Sequence, residues 1–303
     1  MSWLELSVRV SRDKAALVES LLQNEPVLAL TLTDDADDPV LEPGVGETPL
    51  WPSVGITALF DGDTPVEPLT RMLSLVPGVD RPQQVNFRYF EDQEWERVCL
   101  DRFLPMQFGK NLWIVPGNRK APPEADFVLR LDPGLAFGTG THPTTRLCLQ
   151  WVDAYDFRGR TVLDFGCGSG VLGIAAAIKG AAEVVCVDND PQALIATRDN
   201  AGRNQVASKI NALMPAQFKP VQADVVLANI LAGPLIDLAP ILLASLRPGG
   251  AIVLSGILEE QAQEVAEAYR QSLHQILVTT DDGWVRLYGQ KTEPALAMQD
   301  KPS

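Results

Sequence analysis

The chain has 303 residues, 46% of them hydrophobic and 21% charged, with a formal net charge of −14. That length accommodates two domains with sizeable cores, and no apolar run reaches the length of a membrane span. The acidity argues against direct nucleic-acid binding, which needs a cationic face, and favours a basic partner such as a lysine-rich protein.

Four cysteines (Cys99, Cys148, Cys167, Cys186) lack C-x-x-C spacing, and the two histidines are His142 and His274. No metal site and no disulfide framework are expected. The opening Met1-Ser2-Trp3-Leu4-Glu5 has no basic-then-apolar export pattern, so a cytoplasmic location is expected.

The first ninety residues read as strand (3–10), helix (12–23), strand (27–33), an acidic proline-rich loop (34–52), strand (55–60), helix (65–75) and strand (84–89). That β-α-β-β-α-β order is the split arrangement of ferredoxin-like α+β domains and sets a first domain at 1–91. An amphipathic helix is expected over 92–103, inside a connecting segment that runs to 126 with a strand at 112–115 and a loop at 117–124. A second domain then spans 127–291, and 292–303 is expected to be a mobile tail.

The second domain opens on a glycine-threonine stretch, Phe137-Gly138-Thr139-Gly140-Thr141-His142-Pro143-Thr144-Thr145. Such a loop could fold over a nucleoside, Phe137 giving apolar cover and Thr141 and Thr145 hydroxyls reaching a polar end. The blander alternative makes Thr144 or Thr145 a helix cap.

The buried run Val162-Leu163-Asp164-Phe165 then breaks into Gly166-Cys167-Gly168-Ser169-Gly170. Glycines there let the backbone turn sharply and approach a ligand with no Cβ in the way, beside the free N–H groups of a helix start. A dinucleotide G-x-G-x-x-G counted from Gly166 fails at Val171, and counted from Gly168 leaves the strand ending too early. Asp164 would repel a pyrophosphate but could accept from an ammonium group or a water. The pattern resembles the first motif of Rossmann-like S-adenosylmethionine methyltransferases. Cys167 reads as a small residue with its backbone at the ligand rather than as a nucleophile.

About 20 residues on, Val184-Val185-Cys186-Val187-Asp188 is a second apolar run ending in an acid, placed to hold two ribose hydroxyls. Asp188 could alternatively cap the helix that begins near Pro191. A third strand, 223–229, ends in the neutral amide Asn229, followed by Ile230-Leu231-Ala232. Helical spacing covers 234–246, Arg247-Pro248-Gly249-Gly250 turns the chain into a strand at 251–255, and a helix (259–271) precedes strands at 276–280 and 284–290. The alternation implies a mostly parallel sheet covered on both faces, with a seven-strand reading and sites at the strands' carboxyl ends.

Asn229 lies where an amine would meet the methyl donor. At neutral pH roughly one lysine in a thousand is neutral, against about one α-amine in ten. A carboxylate beside the amine would hold it charged, whereas a neutral acceptor orients it with less of that penalty.

Taken together, the glycine-threonine loop from Phe137 to Thr145, the run from Asp164 to Gly170 and Asn229-Ile230-Leu231-Ala232-Gly233-Pro234 resemble the PrmA family, which methylates the eleventh large-subunit ribosomal protein. The resemblance implies an α/β fold: a Rossmann-like class I methyltransferase with a seven-stranded sheet behind a ferredoxin-like substrate-recognition domain. It implies transfer of methyl groups from S-adenosyl-L-methionine to lysine side chains and the N-terminal α-amine of that ribosomal protein. Composition and spacing add the expectation of a monomer without metal, membrane or direct nucleic-acid contacts. Carried over by motif, Phe137, Thr141, Thr145, Asp164, Gly166, Gly168, Asp188 and Asn229 would contact the cofactor, and Asn229 and the Leu231 backbone would meet the amine. His142 carries no role from the resemblance.

Overall fold

The computed structural model describes residues 2–34, 51–79, 84–91, 104–117, 119–131 and 142–293. The expected helix at 92–103, most of the acidic loop, and Phe137 and Thr141 lie outside these residues. Contacts divide the chain into two units, Met1–Trp95 and Glu96–Ser303.

In the first unit, strands β1 (Ser2–Ser11), β2 (Ala29–Asp34), β3 (Ser53–Asp61) and β4 (Val85–Glu91) form an antiparallel sheet in the order β2-β3-β1-β4. Period-two alternation sets the register: Leu4, Leu6, Val8 and Val10 lie opposite Phe60, Ala58, Ile56 and Val54, and all eight are buried. Helix α1 (Arg12–Gln23) covers that face with Ala15, Val18 and Leu22, and α2 (Val66–Ser74) with Leu69 and Leu73. The order is that of the ferredoxin-like arrangement read from the sequence.

The second unit begins with a three-stranded sheet, β5 (Met106–Phe108), β6 (Leu112–Val115) and β7 (Phe127–Arg130). The larger sheet comprises β8 (Thr161–Phe165), β9 (Glu183–Val187), β10 (Ile210–Leu213), β11 (Ala223–Asn229), β12 (Leu246–Leu258), β13 (Leu273–Asp281) and β14 (Trp284–Lys291). Its order is β10-β9-β8-β11-β12-β14-β13, and β14 pairs antiparallel with both neighbours while the pairs from β10 to β12 are parallel. The chain builds outward from β8 through β9 to β10, then returns to β11 on the other side. The carboxyl ends of β8 and β11 thus meet at the switch point where such sheets bind ligands.

Strand residues alternate between two cores. Val162, Val184, Cys186, Val225, Leu227 and Val253 face one, shared with α3 (Pro143–Ala154), α4 (Val171–Ile178) and α5 (Pro191–Arg203). Leu163, Val185, Val187, Val226, Ala228, Ile252 and Leu254 face the other, shared with α6 (Ala232–Asp237), α7 (Ala239–Ser245) and α8 (Ala262–Tyr269). Burial on both faces explains why these strands read as unbroken apolar runs.

Two expectations need correction, and one strand went unread. The helix expected over 234–246 is two helices, because Pro240 has no N–H to give to the carbonyl of Ile236. Arg247-Pro248-Gly249-Gly250 is an irregularity within β12, where Ala223 pairs with Leu246 but Val225 pairs with Ala251. The strand β10 was not read from the sequence; four residues ending at a short helical turn carry too little pattern.

Helix α8 is tied to α6 by Tyr269, whose buried hydroxyl donates to the carbonyl of Leu235 at 2.6 Å. Replacing Tyr269 with Phe should lower stability by about 1–2 kcal/mol and the melting temperature by roughly 2–8 °C. Calorimetry that finds no shift would show this bond to be energetically silent.

Candidate active site

The corner after β8 is set by backbone conformation. Gly166, Gly168 and Gly170 have φ of +73°, +54° and +78°, a region side-chain-bearing residues rarely occupy. The last carbonyl of β9, on Val187, receives both the Gly166 N–H at 2.7 Å and the Cys167 N–H at 3.1 Å. A Cβ on Gly166 would lie 2.1 Å from Cγ2 of Ile230, so the ends of β8 and β11 approach more closely than any side chain would allow.

Asp188 stands at the end of β9, half-buried. Its Oδ2 accepts from the Gly168 N–H at 2.8 Å and its Oδ1 from the Asp190 N–H at 3.0 Å. The capping alternative for Asp188 falls elsewhere: Asp190 caps α5, accepting from the Gln192 N–H at 2.8 Å. Each Asp188 oxygen keeps a lone pair for a hydroxyl group.

Asp164 is 1% exposed, and its Oδ2 accepts from the Gly173 N–H in the first turn of α4 at 2.8 Å. The glycine is required there, because a Cβ would sit 2.9 Å from Val184 and 3.0 Å from that oxygen. Burial pushes the Asp164 carboxyl up to about 7; the bond from Gly173 opposes the shift and the Asp188 charge adds to it.

Across the crevice, Asn229 Nδ2 donates to Thr145 Oγ1 at 3.4 Å, so two of the expected residues meet. Thr144 and Thr145 are buried in the first turn of α3, and neither caps it. His142 does, its Nδ1 accepting from the Thr144 N–H at 3.4 Å and lying 2.8 Å from Thr144 Oγ1. Leu231 is half exposed, and its carbonyl already receives the Leu235 N–H at 3.1 Å. Cys167 is buried with Sγ 3.5 Å from Thr197 Oγ1, which supports a packing role. Among the described residues, no group of three His, Cys, Asp or Glu side chains could hold a metal ion.

Sequence reasoning missed what holds α3. The His142 ring packs edge-on against Trp284, with centroids 4.8 Å apart. Arg146 pairs with Asp281, and the half-buried Arg286 donates to the Leu147 carbonyl at 2.9 Å and to Thr279 Oγ1 at 2.7 Å. At the other end, Asp153 accepts from the Lys110 N–H at 2.6 Å and the Asn111 N–H at 3.2 Å, in the turn between β5 and β6. The partners that hold α3 lie 42 to 142 residues from it, beyond any local pattern.

Over residues 2–292 the sequence matches the family described as ribosomal protein L11 methyltransferase (PrmA). The chain belongs to that family. It is 48% identical over 292 residues to the ribosomal protein L11 methyltransferase of Pseudomonas syringae pv. tomato, covering 96% of this chain and 100% of that one. Its identity to the Azotobacter vinelandii protein of the same description is 48% over 290 residues, or 95% and 99% of the two chains. A crystal structure of ribosomal protein L11 methylase from Lactobacillus delbrueckii subsp. bulgaricus superposes with a TM-score of 0.57 at 30% identity, covering 63% of this chain and 100% of that one.

As a member of the family, the chain is an S-adenosylmethionine-dependent methyltransferase with the Rossmann-like fold expected from its motifs. The corner fits that cofactor: three positive-φ glycines turn the chain sharply at the carboxyl end of β8, and Asp188 offers acceptors suited to a ribose. Among the described residues no helix is long and apolar enough to cross a membrane.

His142 caps α3 only when Nδ1 is unprotonated. Burial, with the Arg146 charge, holds its pKa below the ordinary 6.5, so the unfolded chain takes up the proton more readily than the folded one. The cap's stabilisation is therefore complete above about 6.5 and is lost as pH falls through the lower folded value. Arg146 faces the ring, and Asp281 and Asp282 act on Arg146. The protection of the Thr144 amide, taken relative to its intrinsic exchange rate at each pH, should fall between about pH 7 and pH 5 in the wild type, and much less in His142→Asn, which caps at every pH. Equal pH profiles for the two proteins would contradict this.

Proposed function

We propose that the chain transfers methyl groups from S-adenosylmethionine to lysine side chains and the N-terminal α-amine of ribosomal protein L11, acting as a cytoplasmic monomer without direct nucleic-acid contact. In this reading residues 1–91 recognise the ribosomal protein, 92–126 connect the units, 127–291 perform the transfer, and 292–303 form a tail. The observation that carries the reading is the meeting of Thr145 and Asn229 across the switch point from the Gly166–Asp188 corner. The family's substrate, ribosomal protein L11, supplies the acceptor.

When bound, the cofactor supplies a methyl group on a cationic sulfur. Asp188 would receive the ribose hydroxyls through the lone pairs left by the Gly168 and Asp190 N–H groups. Gly166 and Gly168 would let backbone approach the nucleoside, with Phe137 and Thr141 covering it. With Nδ2 given to Thr145, Oδ1 of Asn229 is the acceptor for an incoming amine, and Leu231 has a remaining carbonyl lone pair beside the Leu235 N–H. A neutral amide holds that amine with less stabilisation of its protonated form than a carboxylate would give, so catalysis rests on orientation and exclusion of water. The chain's acidity would draw in a lysine-rich acceptor.

Incubation of the purified protein with labelled S-adenosylmethionine and free ribosomal protein L11 should label amines of the latter. Asp188→Ala should weaken cofactor binding about tenfold or more with a smaller loss of kcat, and Asn229→Ala should lower kcat about ten- to a hundredfold with cofactor affinity little changed. The reverse pattern, or label on other proteins or small molecules but not on L11, would refute these assignments.

Asp164 gives a second test. A cationic cofactor beside a carboxyl poised near 7 should drive its ionisation, so binding near neutral pH should release a fraction of a proton. Calorimetry in buffers of different ionisation enthalpy would detect it, and Asp164→Asn should abolish it. Proton-independent binding by the wild type would place Asp164 outside the cofactor's field.

A further inference from the structure

The mechanism leaves unused a polar stripe on α5. Thr197, Asn200 and Asn204, at spacings of three and four, share one helix face, and Thr197 and Asn200 are buried at 0% and 9% exposure. Isolated polar groups buried at that level are costly unless bonded, and all three are bonded to main chain at the edges of the site. Thr197 Oγ1 donates to the carbonyl of Gly168 at 3.0 Å, and Asn200 Nδ2 to that of Ser169 at 2.9 Å. Asn204 pairs both ways with Arg130 at the end of β7, accepting its N–H at 2.6 Å and donating to its carbonyl at 2.8 Å.

We infer that Thr197 and Asn200 are positioning residues for the cofactor: from beneath, they fix the two consecutive loop carbonyls that aim the glycine corner, while Asn204 anchors the end of β7. The inference rests on the cofactor reading of the corner and deepens it. Three features point to positioning rather than packing. The bonds of Thr197 and Asn200 go to the peptide groups directly following the Gly168 N–H, which holds the Asp188 carboxylate. In a trans peptide the N–H points opposite to its carbonyl, so pinning these carbonyls to α5 turns the Ser169 N–H away from it and holds the Gly170 N–H on the Cys167 carbonyl at 2.8 Å, which closes the turn. The fit is also tight: a Cβ on Gly170 would stand 2.9 Å from both Cγ2 and Oγ1 of Thr197, and the residue adopts φ +78°. A hydroxyl in that place therefore sets both the depth and the rotation of the loop, with no contact to reacting atoms.

The test compares Thr197→Val, which keeps the shape and loses the donor, with Thr197→Ser, which keeps the donor. Binding of S-adenosylmethionine to the full-length chain would be measured by calorimetry, beside kinetics with ribosomal protein L11 and a thermal melt. Thr197→Val should raise Kd and cofactor KM about five- to tenfold, leave kcat at saturating cofactor and the KM for L11 within about twofold, and be rescued by Thr197→Ser. Asn200→Ala, an independent probe should Thr197→Val not fold, should raise Kd about threefold or more. Unchanged cofactor affinity in a variant that only melts earlier would reduce the stripe to a structural role and overturn the inference. A fall in kcat at saturation would overturn it too. Failure of the wild type to bind the cofactor would instead remove the reading beneath it, and so is distinguishable from failure of the positioning role.

Discussion

Ile230 is wedged between two positions that tolerate no side chain. A Cβ on Gly166 would meet its Cγ2 at 2.1 Å, and one on Gly256 would meet its carbonyl oxygen at 2.3 Å. Both glycines also need positive φ, +73° and +85°. This three-way contact lets the ends of β8, β11 and β12 close on one another, and it brings Asn229 to the edge of the crevice that the glycine corner forms. Larger residues at either position would part the strands, leaving the nucleoside corner and the amide of Asn229 as unrelated features.

Charge is distributed around that contact in two ways. Asp188 is half-buried, and both its oxygens are oriented by backbone N–H groups, so it is ready to receive further donors. Asp164, fully buried below, accepts from a helix N-terminus, yet burial still raises its carboxyl to about 7. An acid so placed is uncomfortable without a cation above it, which suits a sulfonium cofactor that also carries an amino group. The corner thus holds one acid for geometry and one for field.

The opposite wall is α3, and it is restrained at both ends. His142, Arg146 and the Leu147 carbonyl join its first turns to β13 and β14, and Asp153 fastens its last turn to the β5–β6 loop. Thr145 inherits its place from those contacts, and Asn229 inherits the orientation of its amide from Thr145. With α5 holding the glycine loop from below, each functional group is positioned by a different element, and rigidity comes from the surrounding packing.

Local pattern alone was enough for much of this. Alternation over residues 3–10 and 55–60 predicted the front sheet, and doubly buried apolar runs predicted β8, β9 and β11 with their terminal Asp188 and Asn229. Glycines 166, 168 and 170 announced a turn because their chemistry shows within a few residues. What the linear order could not decide was long-range: that His142 rather than a threonine caps α3, that Asp164 is sealed beneath α4, that β10 completes the sheet, and that Thr197 and Asn200 reach back to Gly168 and Ser169. Residues close in sequence are read by periodicity and backbone preference; partners some 30 to 140 apart meet only after strand order and helix packing are set, so their roles belong to the tertiary structure.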